Sequence, residues 1–166
     1  MPTAVHVNTH AYATTHVATN LIRSLKQIIV ACGLDASKLI GSWQTLERGV
    51  AEWLGTGHLT RLILEIYDPA NNALIRGFEF DIDYGYHSQG NGDLWLDPDT
   101  VAYAVRKAGT VPAHCSYDVL AQTAPGRHHV PGWTSGTRRS TAGLRRRGVG
   151  AAIGGGALGA SLNYWS

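Results

Sequence analysis

Residues 59–84 read LTRLILEIYDPANNALIRGFEFDIDY, and the reading of this stretch decides the fold. Leu62, Leu64 and Ile66 alternate with Arg61, Ile63, Glu65 and Tyr67, the two-residue period of a strand with two unlike faces. Asp68-Pro69 and the paired Asn71-Asn72 supply turn chemistry, because proline presets φ and asparagine tolerates left-handed backbone. Beyond the turn, Phe78, Phe80, Ile82 and Tyr84 alternate with Glu79, Asp81 and Asp83. Two such runs joined by a short turn predict an antiparallel hairpin with one face in the core and one wet. The Glu79, Asp81 and Asp83 row offers carboxylates for a metal or for acid chemistry. With no His or Cys beside them, a solvated face is the expectation.

Helices flank the hairpin. From about 9 to 32, Val17, Leu21, Ser24, Leu25, Ile28 and Cys32 fall on one helical face, and Gly33 suits the left-handed stop after it. Asp35 can cap a short turn over 37–40. Ser42 is placed to cap a second helix, with Trp43, Leu46, Val50, Trp53 and Leu54 as its stripe and Gly55 and Gly57 as its end. Two tryptophans on one helix mean core more often than a ligand cage. Residues 1–8 read as a loose lead-in and 85–92 as a mobile loop. DLWL at 93–96 is a short strand, and Asp97-Pro98 opens a helix as N-cap and first helical residue. Val101, Val105 and Ala108 form its buried stripe, Gly109 ends it, and 116–123 reads as another strand. Helix, helix, strand pair, strand, helix, strand is an α+β order, with helices packed on one face of an antiparallel sheet.

The last 42 residues depart from this pattern. They hold ten of the twenty glycines and six arginines but no acid, while the first 124 hold all twelve acids and the other eight cations. So much glycine makes rigidity costly, and mobility is expected. Yet Val130, Trp133, Leu144, Val149, Ile153, Leu158, Tyr164 and Trp165 recur as apolar anchors. A flexible segment with spaced anchors is suited to wrapping a partner or docking in more than one way. Arg138, Arg139, Arg145, Arg146 and Arg147 are its strongest charge feature. They can contact phosphates in a nucleic acid or an acidic partner. The alternatives are a solvated cationic face, or arginines paired with the chain's own carboxylates.

At 166 residues, 44% apolar and 16% charged, the chain is sized for one domain with a real core. Cys32 and Cys115 are expected as buried free thiols. His6 and His10 have chelating spacing but no third ligand nearby. No serine-hydrolase elbow, phosphate-cradling lysine loop, zinc-protease motif or paired-cysteine motif occurs. Gly148-Val149-Gly150 starts like a dinucleotide fingerprint but has Ile153 in its sixth position. His128-His129 beside Arg127, and His114 beside Cys115, do not assemble a nucleophile, base and orienter. An enzyme is therefore not expected, nor a cofactor or metal. With no basic-then-apolar leader and no apolar run near twenty residues, a cytoplasmic protein away from membranes is expected.

Four segments together resemble the bacterial HORMA domain proteins of antiphage operons that signal through cyclic oligonucleotides. They are SLKQIIVACGLDASKLIGSWQTLERGVAEWL, the LILEIYDP…FDIDYGY hairpin, DLWLDPDTVAYAVRKAG, and PGRHHVPGW…YWS. The resemblance spans nearly the whole chain. It implies a HORMA core over 1–124 and, within the same domain, a mobile C-terminal "safety belt" over 125–166 that closes on a peptide, the closure motif. The belt anchors Val130, Trp133, Leu144, Val149, Ile153, Leu158, Tyr164 and Trp165 then become the peptide-binding set. The implied partners are that peptide, a cyclic-oligonucleotide-producing nucleotidyltransferase activated by the closed form, an AAA+ ATPase remodeller, and a second HORMA protein. The remodeller would grip the N-terminal segment, at Thr3, Val5 and Val7. The reading from a different class is a nucleic-acid-binding module using the C-terminal arginines.

Overall fold

The computed structural model describes residues 3–6, 10–85, 93–154 and 158–166, the side chains of 3–6, 10–12 and 93–95 excepted. The hairpin forms as the alternation predicts. Strand β2 (Leu59–Asp68) pairs antiparallel with β3 (Ala73–Tyr84), with Leu62 opposite Phe80 and Leu64 opposite Phe78. Asp68 makes the turn, its carboxylate accepting from Ala70 N at 2.9 Å, and Asn72 takes a left-handed φ of 60°. Leu62, Leu64, Ile66, Phe78 and Phe80 are fully buried on one face, and Ile82 is half-buried against them.

Helix α1 (His10–Ala31) supplies Val17, Leu21, Leu25, Ile28 and Cys32 to that core, and Gly33 follows at φ 85°. Burial raises the Cys32 thiol to about 11, so it packs as a small apolar group. Cys115 is only half-buried, contrary to expectation. In α2 (Ser37–Gly41) the Asp35 carboxylate caps Ser37 through its N–H at 2.8 Å and its hydroxyl at 2.6 Å. Ser42 stands at the N-cap position of α3 (Trp43–Gly55), but its side chain makes no capping bond. Helix α4 (Pro98–Ala108) is capped by Asp97, which accepts from Asp99 N at 3.0 Å.

Three strands appear where none was expected. Residues 1–8, read as a loose lead-in, contain β1 (Thr3–His6), which pairs with β4 (Asp93–Leu96). The glycine-rich end contains a long hairpin, β6 (Arg146–Gly154) with β7 (Leu158–Trp165). With β5 (Ser116–Thr123), the sheet runs β1-β4-β6-β7-β3-β2-β5, every neighbour antiparallel. Strand β7 lies along β3 with Phe78 opposite Tyr164 and Phe80 opposite Leu162. Leu158, Ala160, Leu162 and Tyr164 face the core at the strand period. Glycine prevents neither strand: the ladder satisfies the backbone, and in β7 alternate apolar residues secure the inner face.

The opposite face of the sheet is not uniformly wet. Ile63, Glu65 and Glu79 are buried there, beneath residues 134–144, which cross it. The solvated acidic row expected on β3 is thus corrected. Glu79 is sealed, Asp81 is half-buried and ion-paired, and only Asp83 is exposed.

Candidate functional site

Strand β5 pairs with β2 on one side only, so it forms an edge of the sheet. The Thr60 hydroxyl, on β2, donates to the Gln122 carbonyl at 2.9 Å, which turns Gln122 inward. The Tyr117 carbonyl, by contrast, accepts from Lys38 Nζ on α2. In an antiparallel strand the N–H and C=O of one residue point the same way and alternate along the chain. The outward groups are therefore those of Tyr117, Val119 and Ala121. Lys38 occupies the first, leaving Val119 and Ala121 to present a pairing edge.

Residues 124–145 form a strap around that edge. Ala124 N donates to the His58 carbonyl at 2.8 Å as the chain leaves β5. Gly126, at φ 90°, then turns it under α3. The Trp53 indole N–H holds the His128 carbonyl at 2.8 Å, and the Arg127 guanidinium lies 5.2 Å from the Trp53 ring centre. Val130 is buried beside them. Trp133 sits edge-on to Trp53, 5.0 Å between ring centres, and donates to the Thr45 carbonyl at 2.9 Å. This seat requires glycine at two places. A Cβ on Gly49 would lie 2.1 Å from Trp133 Nε1, and one on Gly132 would lie 2.5 Å from Thr45 Cγ2. The strap then passes over the edge, with Gly136 against Leu120, and reaches the outer face.

There the arginines pin it down. Arg138 pairs with Glu79, and Arg139 reaches Glu65 and Asp118, each at 2.9 Å, while lying 3.5 Å from the Tyr67 ring centre. Arg139 N also donates to Glu65 at 3.1 Å. Burial pushes the Asp118 carboxyl up, but hydrogen bonds from Lys38 and Arg139 outweigh it and hold it below its usual value. Two fully buried carboxylates on neighbouring strands would be very costly alone, and these arginines make them tolerable. Between strap, edge and helices runs a channel of about 770 Å³, within the size range of ligand sites of roughly 300–1,000 Å³. Val119, Leu120 and Ala121 form its floor, Lys38, Leu46 and Trp53 its helical wall, and Arg127, Trp133 and 134–137 its strap wall.

The residues singled out from the sequence divide among several places. Trp133 lines the channel. Val130 packs in the core, and Leu144 is half-buried in the turn before β6. Ile153, Leu158 and Tyr164 are core residues of the β6–β7 hairpin, and Val149 packs against them. Trp165 lies on the outer face, donating to Glu79 at 2.8 Å. Thr3 and Val5 are in β1 opposite Leu96 and Leu94, at the sheet edge farthest from the channel, and Val7 is outside the described residues. Arg138, Arg139 and Arg146 are engaged with the chain's own carboxylates, Arg146 with Asp81 at 2.9 Å. Arg145 and Arg147 are exposed. The sequence reading missed Lys38, Leu46, the β5 edge and Arg127. Leu46 and Trp53 carry an ordinary core signal, and which strand ends a sheet is not written in that strand. Among the described residues no cluster of three or more metal-binding side chains occurs, and no helix is long and apolar enough to cross a membrane.

Comparison with known proteins places this geometry. Among solved structures, the fold matches a chain of the mitotic checkpoint complex with a TM-score of 0.61 at 8% identity, over 78% of this chain and 73% of that one. Caenorhabditis elegans HTP-2 bound to the HIM-3 closure motif matches at TM-score 0.56 and 15% identity, over 78% and 69%. The Escherichia coli MS115-1 CdnC:HORMA-deltaN complex matches at 0.58 and 12%, over 96% and 90%. No curated protein matches the sequence. The profile of the family described as Bacterial HORMA domain 2 matches residues 2–166, and the chain belongs to that family.

Proposed function

We propose that this protein is a non-enzymatic regulatory switch that takes an extended peptide into the channel as an added strand on β5, with 125–166 acting as the safety belt. The observation that carries this is the pairing edge of Val119 and Ala121 held inside the strap, open to main-chain hydrogen bonds on one side and lined by apolar side chains on the other. Strand addition draws affinity from the backbone and specificity from alternate side-chain pockets. HTP-2, which shares the fold, is bound to a closure motif in its solved structure. The partner of the peptide-bound form is proposed to be a nucleotidyltransferase that makes a cyclic oligonucleotide, by analogy with the CdnC:HORMA complex. The nucleic-acid alternative is weaker, because Arg138, Arg139 and Arg146 are already neutralised.

The proposed AAA+ remodeller would grip 1–8. It would first have to peel the four residues of β1 from β4 before reaching α1. The decisive experiment concerns the edge itself. A peptide selected from a displayed random library should slow hydrogen exchange at the Val119 and Ala121 amides when added to the full chain. Unchanged exchange at both would remove strand addition from consideration.

A further inference from the structure

The channel's charged lining is unbalanced. Lys38, Arg127 and Arg139 are cationic, and Asp118 is the single acid. Asp118 is shared between Lys38, at 3.0 Å, and Arg139, at 2.9 Å, and Arg139 also answers Glu65. Arg127 has no carboxylate partner among the described residues. Its guanidinium lies over the Trp53 ring and is 3.4 Å from its neighbour's carbonyl, that of His128. It is exposed and stands just past the Thr123 end of β5, while Lys38 closes the Tyr117 end.

Position along the edge and side of the sheet are both defined. Val119 and Ala121 pack toward the helices, whereas Asp118 and Leu120 face the strap on the outer side. Arg127 and Trp133 both sit on Trp53, so both belong to the helix side. A strand added to β5 alternates its own side chains in the same way. Residues that reach Arg127 and residues that reach the slot between Leu46, Trp53 and Trp133 must therefore come from the same alternate set.

Resting on the peptide-binding reading above, we infer that the preferred peptide is acidic–apolar. It carries an apolar side chain in the Leu46–Trp53–Trp133 slot and a Glu or Asp against Arg127, two or four positions apart in the peptide. The edge from Asp118 to Thr123 spans about 17 Å at roughly 3.4 Å per residue, so both determinants lie within about six residues. An unmatched cation over an indole face selects its partner by charge, and the pleat selects it by spacing.

The test is selection of displayed random dodecapeptides on the full chain and on its Arg127→Glu variant. Peptides selected on the unmodified chain should share an acid at an even spacing from an aliphatic or aromatic residue. Arg127→Glu should replace that acid with Lys or Arg at the same spacing. A synthetic peptide of the first class should lose about tenfold in affinity on Arg127→Glu at low salt, and Arg127→Gln should show a smaller loss. Peptides that enrich without an acid, with an odd spacing, or with an unchanged consensus on Arg127→Glu overturn this inference and leave strand addition standing. Failure of any peptide to enrich on the unmodified chain overturns both.

Discussion

Residues 146–165 and residues 124–145 are neighbours in the chain and attach to the same sheet, but by different forces. The β6–β7 hairpin places Ala152, Ile153, Leu158, Ala160, Leu162 and Tyr164 in the core and pairs β7 with β3 over eight positions. The strap has one buried residue, Val130, and otherwise holds on through two tryptophans and two arginines. Lifting the hairpin exposes a continuous apolar face. Lifting the strap exposes a smaller and discontinuous apolar set, Ile63, Val130 and the Trp53–Trp133 contact, and lets water reach carboxylates that can use it. Local opening free energies follow such differences, so the strap should open far more readily than the hairpin. A clasp that admits a peptide needs that inequality.

The largest effect should come from the hairpin. Leu162 is fully buried opposite Phe80, and Leu162→Ala should cost about 2–5 kcal/mol in denaturant unfolding of the whole domain. A loss under about 1 kcal/mol would mean that the hairpin is a removable flap rather than core, and the contrast would collapse. Next comes Arg139→Ala, which removes the guanidinium from Glu65 and leaves it the backbone N–H of residue 139, at 3.1 Å, and Arg138, at 3.8 Å. A buried carboxylate left without its partner costs about 3–5 kcal/mol when it cannot escape. Here the strap can rise and hydrate it, so the loss should be about 1–3 kcal/mol, the range for one unsatisfied buried group. Hydrogen exchange should show faster opening at 131–145 and unchanged protection at 158–165. Equal acceleration in both would show that the two regions open as one.

Gly49→Ala should be smaller still in stability and large in function. Alanine gains about 1 kcal/mol of helix propensity over glycine. Its Cβ, however, would fall 2.1 Å from Trp133 Nε1 and unseat the indole. Global stability should change by no more than about 1 kcal/mol, the size of the propensity gain that offsets the lost contact. Affinity for a selected peptide, measured by titration calorimetry, should fall sharply. Retention of full affinity would show that Trp133 does not form the channel wall that matters.

These contrasts bear on what a sequence discloses. Periods of 3.6 and two residues placed α1, α3, α4, β2 and β3 within a residue or two, because each pattern reports one face buried by one neighbour. The last hairpin carried the same two-residue signal in Leu158, Ala160, Leu162 and Tyr164, masked by the glycines around it. Glu65 and Glu79 had no local signal of burial. The strap arginines that reach them lie 59 to 74 residues later and are brought there by the strap's path, while Arg61 on β2 and Arg146 on β6 each stand 3.6 Å from Glu79. The channel was least legible for the same reason. It is assembled from a strand edge, a helical wall and a strap, and Lys38 and Arg127 acquire meaning only from where the fold puts them.

The smallest effect is acid sensitivity confined to the strap, and its sign follows from Asp118. Burial raises the Asp118 carboxyl, but the hydrogen bonds from Lys38 and Arg139 outweigh it and leave it below its usual value. A carboxyl depressed on folding contributes stability that is fully present above its unfolded value and is lost as pH falls through its folded value. Asp35 and Asp68 are also depressed, Asp35 by the Ser37 hydroxyl and N–H, Asp68 by Ala70 N–H and then His114. Those two belong to the α2 cap and the β2–β3 turn, so their protonation should not favour strap over hairpin. Asp118 ties the β5 edge both to α2 and to the strap, and Glu65 shares Arg139 with it. From pH 6 to pH 3, exchange at 131–145, corrected for its intrinsic rate, should therefore accelerate relative to 158–165. In Asp118→Asn the strap should already open faster at pH 6, and the difference between pH 6 and pH 3 should shrink. If the variant keeps the full pH dependence, Asp118 does not govern the strap, and the channel's acid end plays no part in holding it closed.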